Sequence, residues 1–150
     1  MGTIILVAIL GAVISAITGT LWYMNSTPMG KWHEQYLGFD KLSVEEKQRL
    51  IAEAKPKMWK TYSSQMILSF FTSFFIAFVT SYTIQNGGPA NATYFYVLTI
   101  WLAFTVPMIG QNILWGTSEG RLAWKRFFSD SIYNLITFLI IAFAAIMIIK

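Results

Sequence analysis

The chain has 150 residues, of which 55% are hydrophobic, 12% are charged and none is cysteine. The charged fraction is about half that of an ordinary soluble domain, which indicates that lipid surrounds most of the chain, and the lack of cysteine excludes disulfides and thiolate metal sites. The formal charge of +4 does not indicate nucleic-acid binding, because the cations concentrate in predicted loops and form no basic face on a soluble fold.

The first predicted element is a membrane-spanning helix over residues 3–23. Residues 1–30 contain no charged side chain, and a span needs about 20 mostly apolar residues. Gly11, Ser15 and Gly19 recur at four-residue intervals, a spacing that favours close packing against a second helix, since small side chains let two backbones approach in lipid. The second helix is either another span of this chain, which we prefer, or a span of a second copy.

Residues 24–61 form a long polar loop that holds 7 of the 11 Lys and Arg residues. Inside it, Ser43 and Glu46 have the spacing of a capping box, which predicts a short amphipathic, cytosolic helix that begins at Val44. We expect Pro56 to end or kink this helix. A basic cluster follows, and its simplest role is to hold the loop in the cytoplasm, with anionic-lipid binding as the alternative. The cluster consists of Lys55, Lys57 and Lys60.

Two short segments of the chain resemble a known family. Gly19-Thr-Leu-Trp22-Tyr23 and Pro28-Met-Gly30-Lys31-Trp32, followed by a polar helix and three further spans, resemble the small membrane proteins grouped as domain of unknown function seventeen sixty-one. The resemblance covers most of the chain and implies a four-span bacterial membrane protein. It implies no reaction, and it therefore assigns no catalytic residues.

Span two is predicted over residues 62–84 and carries the most regular pattern in the chain. Small residues recur there every four positions, with Gln65 one turn before them. They are Ser69, Ser73, Ala77 and Ser81. This small, weakly polar face predicts a helix neighbour. A water-lined pathway is the alternative interpretation, but Ser and Thr in a span can return their hydrogen bonds to their own helix.

Spans three and four are predicted over residues 93–115 and 131–149. The proline in span three removes one backbone hydrogen bond, and two amides follow it closely. Polar groups at membrane depth are candidates for function, so we group these residues with the amides of the neighbouring spans as a candidate ligand site or polar cluster. Its members are Gln65, Pro107, Gln111, Asn112 and Asn134. Helix packing or solvation at the interface is the preferred role of the amides in span three.

The topology follows from the aromatic and basic residues. Aromatic anchors are expected at the membrane–water interface, and the predicted ones are Trp22, Tyr23, Trp32, Trp59 and Trp115. Loops 24–61 and 116–130 together hold 10 of the 11 Lys and Arg residues, and no cation separates spans two and three. The positive-inside rule therefore places both loops in the cytoplasm and both termini outside. The family resemblance implies that the membrane is a bacterial cytoplasmic membrane.

These elements predict one all-α transmembrane domain over residues 1–150. It is an integral membrane four-helix bundle in the lipid bilayer, with the short helix between spans one and two. We predict no cofactor, metal site or catalytic residue, because His33 is the only histidine and no predicted span contains a charged residue.

Two functions remain open at this point. The preferred one is a noncatalytic protein that self-associates as a homo-oligomer, or packs with a membrane partner, through the small-residue faces of spans one and two. The alternative is a carrier or pore for a neutral or lipophilic small molecule, and a lipid-active enzyme at the interface is more remote. A filled core favours the first function. A cavity at bilayer depth that reaches polar side chains favours the second.

Overall fold

The structure is a computed structural model that describes residues 1–114 and 120–149. Four of its helices are long and apolar enough to cross a membrane, namely Gly2–Trp22, Val44–Gln85, Ala92–Ile113 and Gly120–Ile149. The described residues contain no β-strand. The predicted all-α fold with four apolar helices is therefore confirmed. The anchor Trp115, the loop residues 116–119 and Lys150 lie outside the described residues.

Helix α1 (Gly2–Trp22) leads through a tight turn into the short helix α2 (Pro28–Tyr36). The turn has a capping residue, because the hydroxyl of Thr27 accepts a hydrogen bond from the backbone N–H of Gly30 at 2.9 Å, and Pro28 occupies the first helical position, where no N–H is needed. A side chain at position 30 would overlap the backbone of Met24, so glycine permits this close return of the chain. Helix α2 is thus distinct from the predicted short helix, which begins at Val44 and is continuous with span two.

Helix α3 (Val44–Gln85) contains both the polar helix and span two. The predicted capping box is present: the Glu46 carboxylate accepts from the Ser43 N–H at 2.8 Å, and the Ser43 hydroxyl accepts from the Glu46 N–H at 3.2 Å. Of the two expectations for Pro56, an end or a kink of the helix, the end is wrong, since the helix continues through this residue. Proline removes one backbone hydrogen bond, and the surrounding turns are exposed, so water can solvate the carbonyl of Ala52 that loses its partner.

Span three consists of α4 (Ala92–Ile100), a π-helical turn (Trp101–Thr105) and α5 (Val106–Leu114). Pro107 follows this turn and lacks an N–H, so one carbonyl a turn earlier has no helical partner. A π turn changes the hydrogen-bond register of a helix at such a point. The π-helical turn contacts the last apolar helix, because the indole N–H of Trp101 donates a hydrogen bond to the backbone oxygen of Ser131 at 2.9 Å.

Helix α6 (Gly120–Ile149) begins well before residue 131, so residues 120–130 are helical rather than a loop. At about 1.5 Å per residue its 30 residues are about 45 Å long, which exceeds the roughly 30 Å of bilayer hydrocarbon. Its first turns therefore have room to lie outside the hydrocarbon. An Arg126–Asp130 ion pair with Nε–Oδ2 of 2.6 Å links two of these turns and stabilises the helical extension.

Helices α1, α3 and α6 pack on one another, and span three packs on α3 and α6. Two buried clusters join the helices, one made of Ile4, Val7, Ala77 and Ala145, and the other of Ile76, Val97, Ile141 and Ala142. We call the end of the bundle that holds the α1–α2 turn the polar end, and the other the opposite end. Of the four apolar helices, span three is the least enclosed: 11% of its most apolar 18-residue stretch is buried, compared with 39% for α3.

Candidate functional site

The small-residue faces of α1 and α3 pack on each other within the chain. A side chain at Gly11 would overlap that of Ser73, and one at Gly19 would come within 3.0 Å of the Tyr133 hydroxyl of α6. The Ser73 hydroxyl returns its hydrogen bond to the Ser69 carbonyl at 2.7 Å. All four small residues of the α3 stripe, Ser69, Ser73, Ala77 and Ser81, are buried. Both faces are therefore occupied by neighbouring helices of the same chain.

One turn nearer the polar end, the three helices separate and leave a polar cavity of about 80 Å³. Its polar lining comprises Ser15, Gln65, Ser69, Thr72, Asn134 and Thr137, and its wall is completed by Leu68, Tyr133 and Phe138. A volume of this size holds about two or three water molecules. The cavity brings together Gln65 and Asn134 of the predicted polar cluster. Pro107, Gln111 and Asn112 do not line it and are exposed on span three.

Several groups around the polar cavity already have hydrogen-bond partners inside the protein. Asn134 donates through Nδ2 to the Asp130 carbonyl at 2.8 Å, and the Tyr133 hydroxyl donates to the Ser15 carbonyl at 3.0 Å. The Thr72 hydroxyl donates to the Leu68 carbonyl at 3.0 Å. These bonds fix the wall of the polar cavity without using all of its polar groups.

Three polar groups in the lining keep unused hydrogen-bonding capacity. The Ser69 hydroxyl, the Gln65 amide and the Oδ1 atom of Asn134 make no side-chain hydrogen bond to any residue within 1–114 and 120–149. Gln65 is exposed, and the Ser69 hydroxyl is not among the enclosed unpartnered atoms of these residues, so both groups are accessible from the cavity. A hydrogen-bonding occupant of the polar cavity would satisfy these groups.

An apolar groove of about 350 Å³ lies next to the polar cavity, between α3, span three and α6. Its lining is mainly aromatic and aliphatic, with Phe71, Phe75, Ile76, Val97, Ile100 and Thr105. Thr72 and Phe138 line both the groove and the polar cavity. The two spaces are thus neighbours that share one wall.

Beyond the polar cavity, at the polar end, four side chains form what we call the interfacial cluster: Tyr23, His33, Arg126 and Asp130. The Tyr23 hydroxyl donates to Oδ1 of Asp130, whose other oxygen pairs with Arg126. The side chains of Arg126 and Asp130 are only 18% and 14% exposed. The guanidinium also lies over two tyrosine rings, 5.7 Å from Tyr23 and 5.1 Å from Tyr36. This is a charge pair that is largely removed from solvent and well partnered.

His33 joins α2 to this cluster. Its Nδ1 atom contacts Nη1 of Arg126, and because a guanidinium only donates, Nδ1 accepts the bond and the ring is neutral. Burial, and after it the Arg126 charge, lower the pKa of His33 below its usual value of 6.5. The ring also packs against Tyr23 with centroids 5.1 Å apart. Within the described residues, no three His, Asp or Glu side chains form a group suited to a metal ion.

The predicted aromatic anchors have different environments. The indole N–H of Trp22 donates to the Ser129 hydroxyl at 3.1 Å, and the ring of Trp32 lies 5.5 Å from the ammonium of Lys125. Both contacts, like that of Tyr23, attach the α1–α2 turn to α6. Trp59 is 65% exposed on α3.

The role of Arg126 and Asp130 was missed in the sequence because both were assigned to a loop. The signal that would have found them is the four-residue spacing of Arg126, Asp130 and Asn134, which puts all three on one helix face. This face connects the interfacial cluster to the polar cavity.

The comparisons with known proteins identify a family. The family described as protein of unknown function (DUF1761) matches residues 6–146. The chain belongs to this family. The resemblance seen in the sequence is thereby confirmed, and the match extends over parts of all four apolar helices, including every residue of the polar cavity and the interfacial cluster. No curated protein and no solved structure matches the chain. The description of the family names no activity.

Proposed function

We propose that this protein is a noncatalytic membrane carrier that binds a small neutral molecule in the polar cavity. The observation that carries the proposal is the group of unused donors and acceptors, contributed by Gln65, Ser69 and Asn134, in a space of about 80 Å³ at the junction of α1, α3 and α6. The small-residue contact between Gly11 and Ser73 closes the bundle beyond it, which favours a carrier over an open pore.

The polar cavity is suited to a neutral molecule because none of the described residues that line it is charged. A charged group that leaves water needs an opposite charge or several hydrogen bonds. Arg126 and Asp130, which lie on the same face of α6 as Asn134, form an ion pair with each other. A hydroxyl or amide group, by contrast, can donate and accept at once, as the three unused groups require.

A noncatalytic role fits the hydroxyl groups around the polar cavity. A nucleophilic hydroxyl needs an oriented base beside it, whereas Ser15 and Thr72 donate to backbone carbonyls of their own helices at 2.9 and 3.0 Å. His33 is the only histidine, and its Nδ1 atom is engaged by Arg126.

The test compares three probes of similar size in detergent-solubilised protein: butanamide, butanoate and butylammonium. We expect only butanamide to give a saturable rise in Tm, because binding to the folded state alone stabilises it. Asn134→Leu should weaken butanamide at least tenfold, which corresponds to about 1.4 kcal/mol. Asn112→Leu, the same change on the exposed face of span three, is the matched control. Equal responses of the three probes, or of the two variants, would contradict the proposal.

Membrane orientation is a further part of this proposal. We expect the polar end to lie in the cytoplasm of a bacterial cell and both chain termini to lie outside its cytoplasmic membrane, because residues 24–61 and 116–130 hold 10 of the 11 Lys and Arg residues. A reporter enzyme that is active only outside the cytoplasm, fused after Lys150, should be active. Activity of a cytoplasm-dependent reporter at the same position would reverse the orientation.

Self-association, or packing with a membrane partner, is the second candidate function. The small faces of α1 and α3 are occupied inside the chain, so such contacts would use span three, which is the least enclosed. The chain has no cysteine, so single cysteines can be introduced cleanly. Ala103→Cys, at an exposed position of span three, should form a disulfide between copies in membranes. Ala77→Cys, which is buried, should not.

A further inference from the structure

We propose that the polar cavity and the apolar groove form one amphipathic site, which holds a single-chain lipid with an uncharged, hydrogen-bonding head. This inference rests on the proposed function and names the class of molecule bound. Its first support is that the two spaces lie side by side, with Thr72 and Phe138 in the walls of both, so that a ligand filling both would pass these two side chains. The hydroxyl of Thr72 is satisfied by the Leu68 carbonyl, so this wall requires no polar partner from a ligand.

The head of the lipid belongs in the polar cavity. Ser69 is 8% exposed there, and its hydroxyl, which makes no hydrogen bond within residues 1–114 and 120–149, is accessible from the cavity rather than enclosed by protein. The Gln65 amide supplies a donor and an acceptor, and Asn134 supplies its carbonyl oxygen. About 80 Å³ suits a head of a few non-hydrogen atoms, such as a hydroxyl or a primary amide. It does not suit a phosphate, because no cation lines the polar cavity.

The chain of the lipid belongs in the apolar groove. The groove is more than four times larger than the polar cavity, at about 350 Å³ against about 80 Å³, and rings and branched side chains form most of its wall. Phe71 and Phe75 are 62% and 49% exposed at its edge, so the groove is open towards the surrounding lipid. A hydrocarbon chain could enter sideways from the bilayer without crossing water.

The order of the two spaces along α3 matches the orientation of a lipid. The polar cavity contacts residues 65–72 of α3, and the apolar groove contacts residues 71–76. Helix α3 runs from the polar end inward, so the groove lies deeper in the bundle. A lipid bound with its head in the polar cavity would therefore point its chain towards the bilayer centre, as lipids of the leaflet at the polar end do.

The test fills the apolar groove and leaves the polar cavity unchanged. Ile100→Trp adds an indole to a residue that lines the groove, and Leu98→Trp adds the same group at an exposed position of α4 that does not line it. The probes are decanamide and butanamide, and binding is measured as a saturable shift in Tm in one detergent. Partition of the probes into micelles is common to all variants and cancels in the comparison.

We expect Ile100→Trp to weaken decanamide at least tenfold and butanamide less than twofold, while Leu98→Trp changes neither by more than twofold. Phe75→Trp fills the same groove from α3 and should repeat the result if Ile100→Trp fails to fold. Unchanged decanamide binding in both filled variants would overturn the amphipathic site and leave the proposed function standing. Decanoate that binds as tightly as decanamide would overturn the uncharged head. Failure of both amides to bind the unmodified protein would overturn both proposals.

Discussion

The two halves of the small-residue stripe on α3 have opposite environments. Around Ser73 and Ala77, helix α1 lies so close that Gly11 has no room for a side chain. Around Ser69, one turn away, the same helices leave a polar cavity. On α6, Ile141 lies beside the Gly11–Ser73 contact and Ala145 lies beside Ala77, whereas Tyr133 and Asn134 line the cavity. A stripe of small residues thus permits close packing, and the residues opposite decide whether it occurs.

The largest expected effect comes from the same substitution placed in each half of the stripe. Ser73→Leu should lower the free energy of unfolding by about 1–3 kcal/mol, because the larger leucine side chain cannot fit against Gly11. Ser69→Leu should change it by less than about 1 kcal/mol, because the polar cavity can accept the side chain. Thermal unfolding of both variants in one detergent checks the difference. If the two variants lose stability equally, the two halves are packed alike.

A smaller loss of stability is expected when the Arg126–Asp130 ion pair of α6 is broken. Asp130→Asn should cost about 1.5–3 kcal/mol, because Arg126 then lies largely out of solvent without its counter-charge. Changing both partners, as Arg126→Met with Asp130→Leu, should cost less than Asp130→Asn alone, since no unpaired charge remains. Unfolding free energies of Arg126→Met, Asp130→Leu, the double variant and the unmodified protein form a double-mutant cycle. Additive losses would mean that Arg126 and Asp130 do not stabilise each other.

The smallest effect concerns pH. The pKa of folded His33 lies below the unfolded value of 6.5, so unfolding takes up a proton below that pH, and stability falls as the pH drops from about 6.5 through the folded pKa. The slope stays below the one-proton limit of about 1.4 kcal/mol per pH unit, because the half-buried ring is partly screened by water. His33→Gln should flatten the Tm profile between pH 5 and 7. An unchanged profile would show that His33 titrates equally in both states.

Much of the fold could be predicted because its determinants are local. Long uncharged runs specify helices that can cross lipid, and the Ser43–Glu46 pair specifies the start of α3 within one turn. The sequence could not decide whether the helix ends at Pro56 or continues through it. It continues because the turns on both sides are exposed, so water can replace the one backbone hydrogen bond that proline removes. The π turn before Pro107 could not be predicted either, because it is accompanied by a contact between helices: the indole of Trp101 donates a hydrogen bond to the backbone oxygen of Ser131 in α6.

The candidate site was only partly predictable for a different reason. Gln65 and Asn134 were recognisable as amides near membrane depth and line the polar cavity, whereas Gln111 and Asn112 lie exposed on span three away from it, and their part in a ligand site stays a prediction. Sequence cannot tell which face of a nearly uniformly apolar helix turns inward. Arg126 and Asp130 were overlooked because charge was treated as a sign of a loop, although two opposite charges four residues apart can neutralise each other on a helix.

The unbroken course of α3 has a mechanical consequence. Its 42 residues make a rod about 63 Å long, with Val44 at one tip and Ser69 a little past the midpoint. The first third of the rod lies outside the apolar run, and it is linked to α2 by Lys47 and Glu34 at 3.0 Å. Because one continuous helix carries both this outer portion and Ser69, we predict that a shift of the outer portion against α2 would change the wall of the polar cavity.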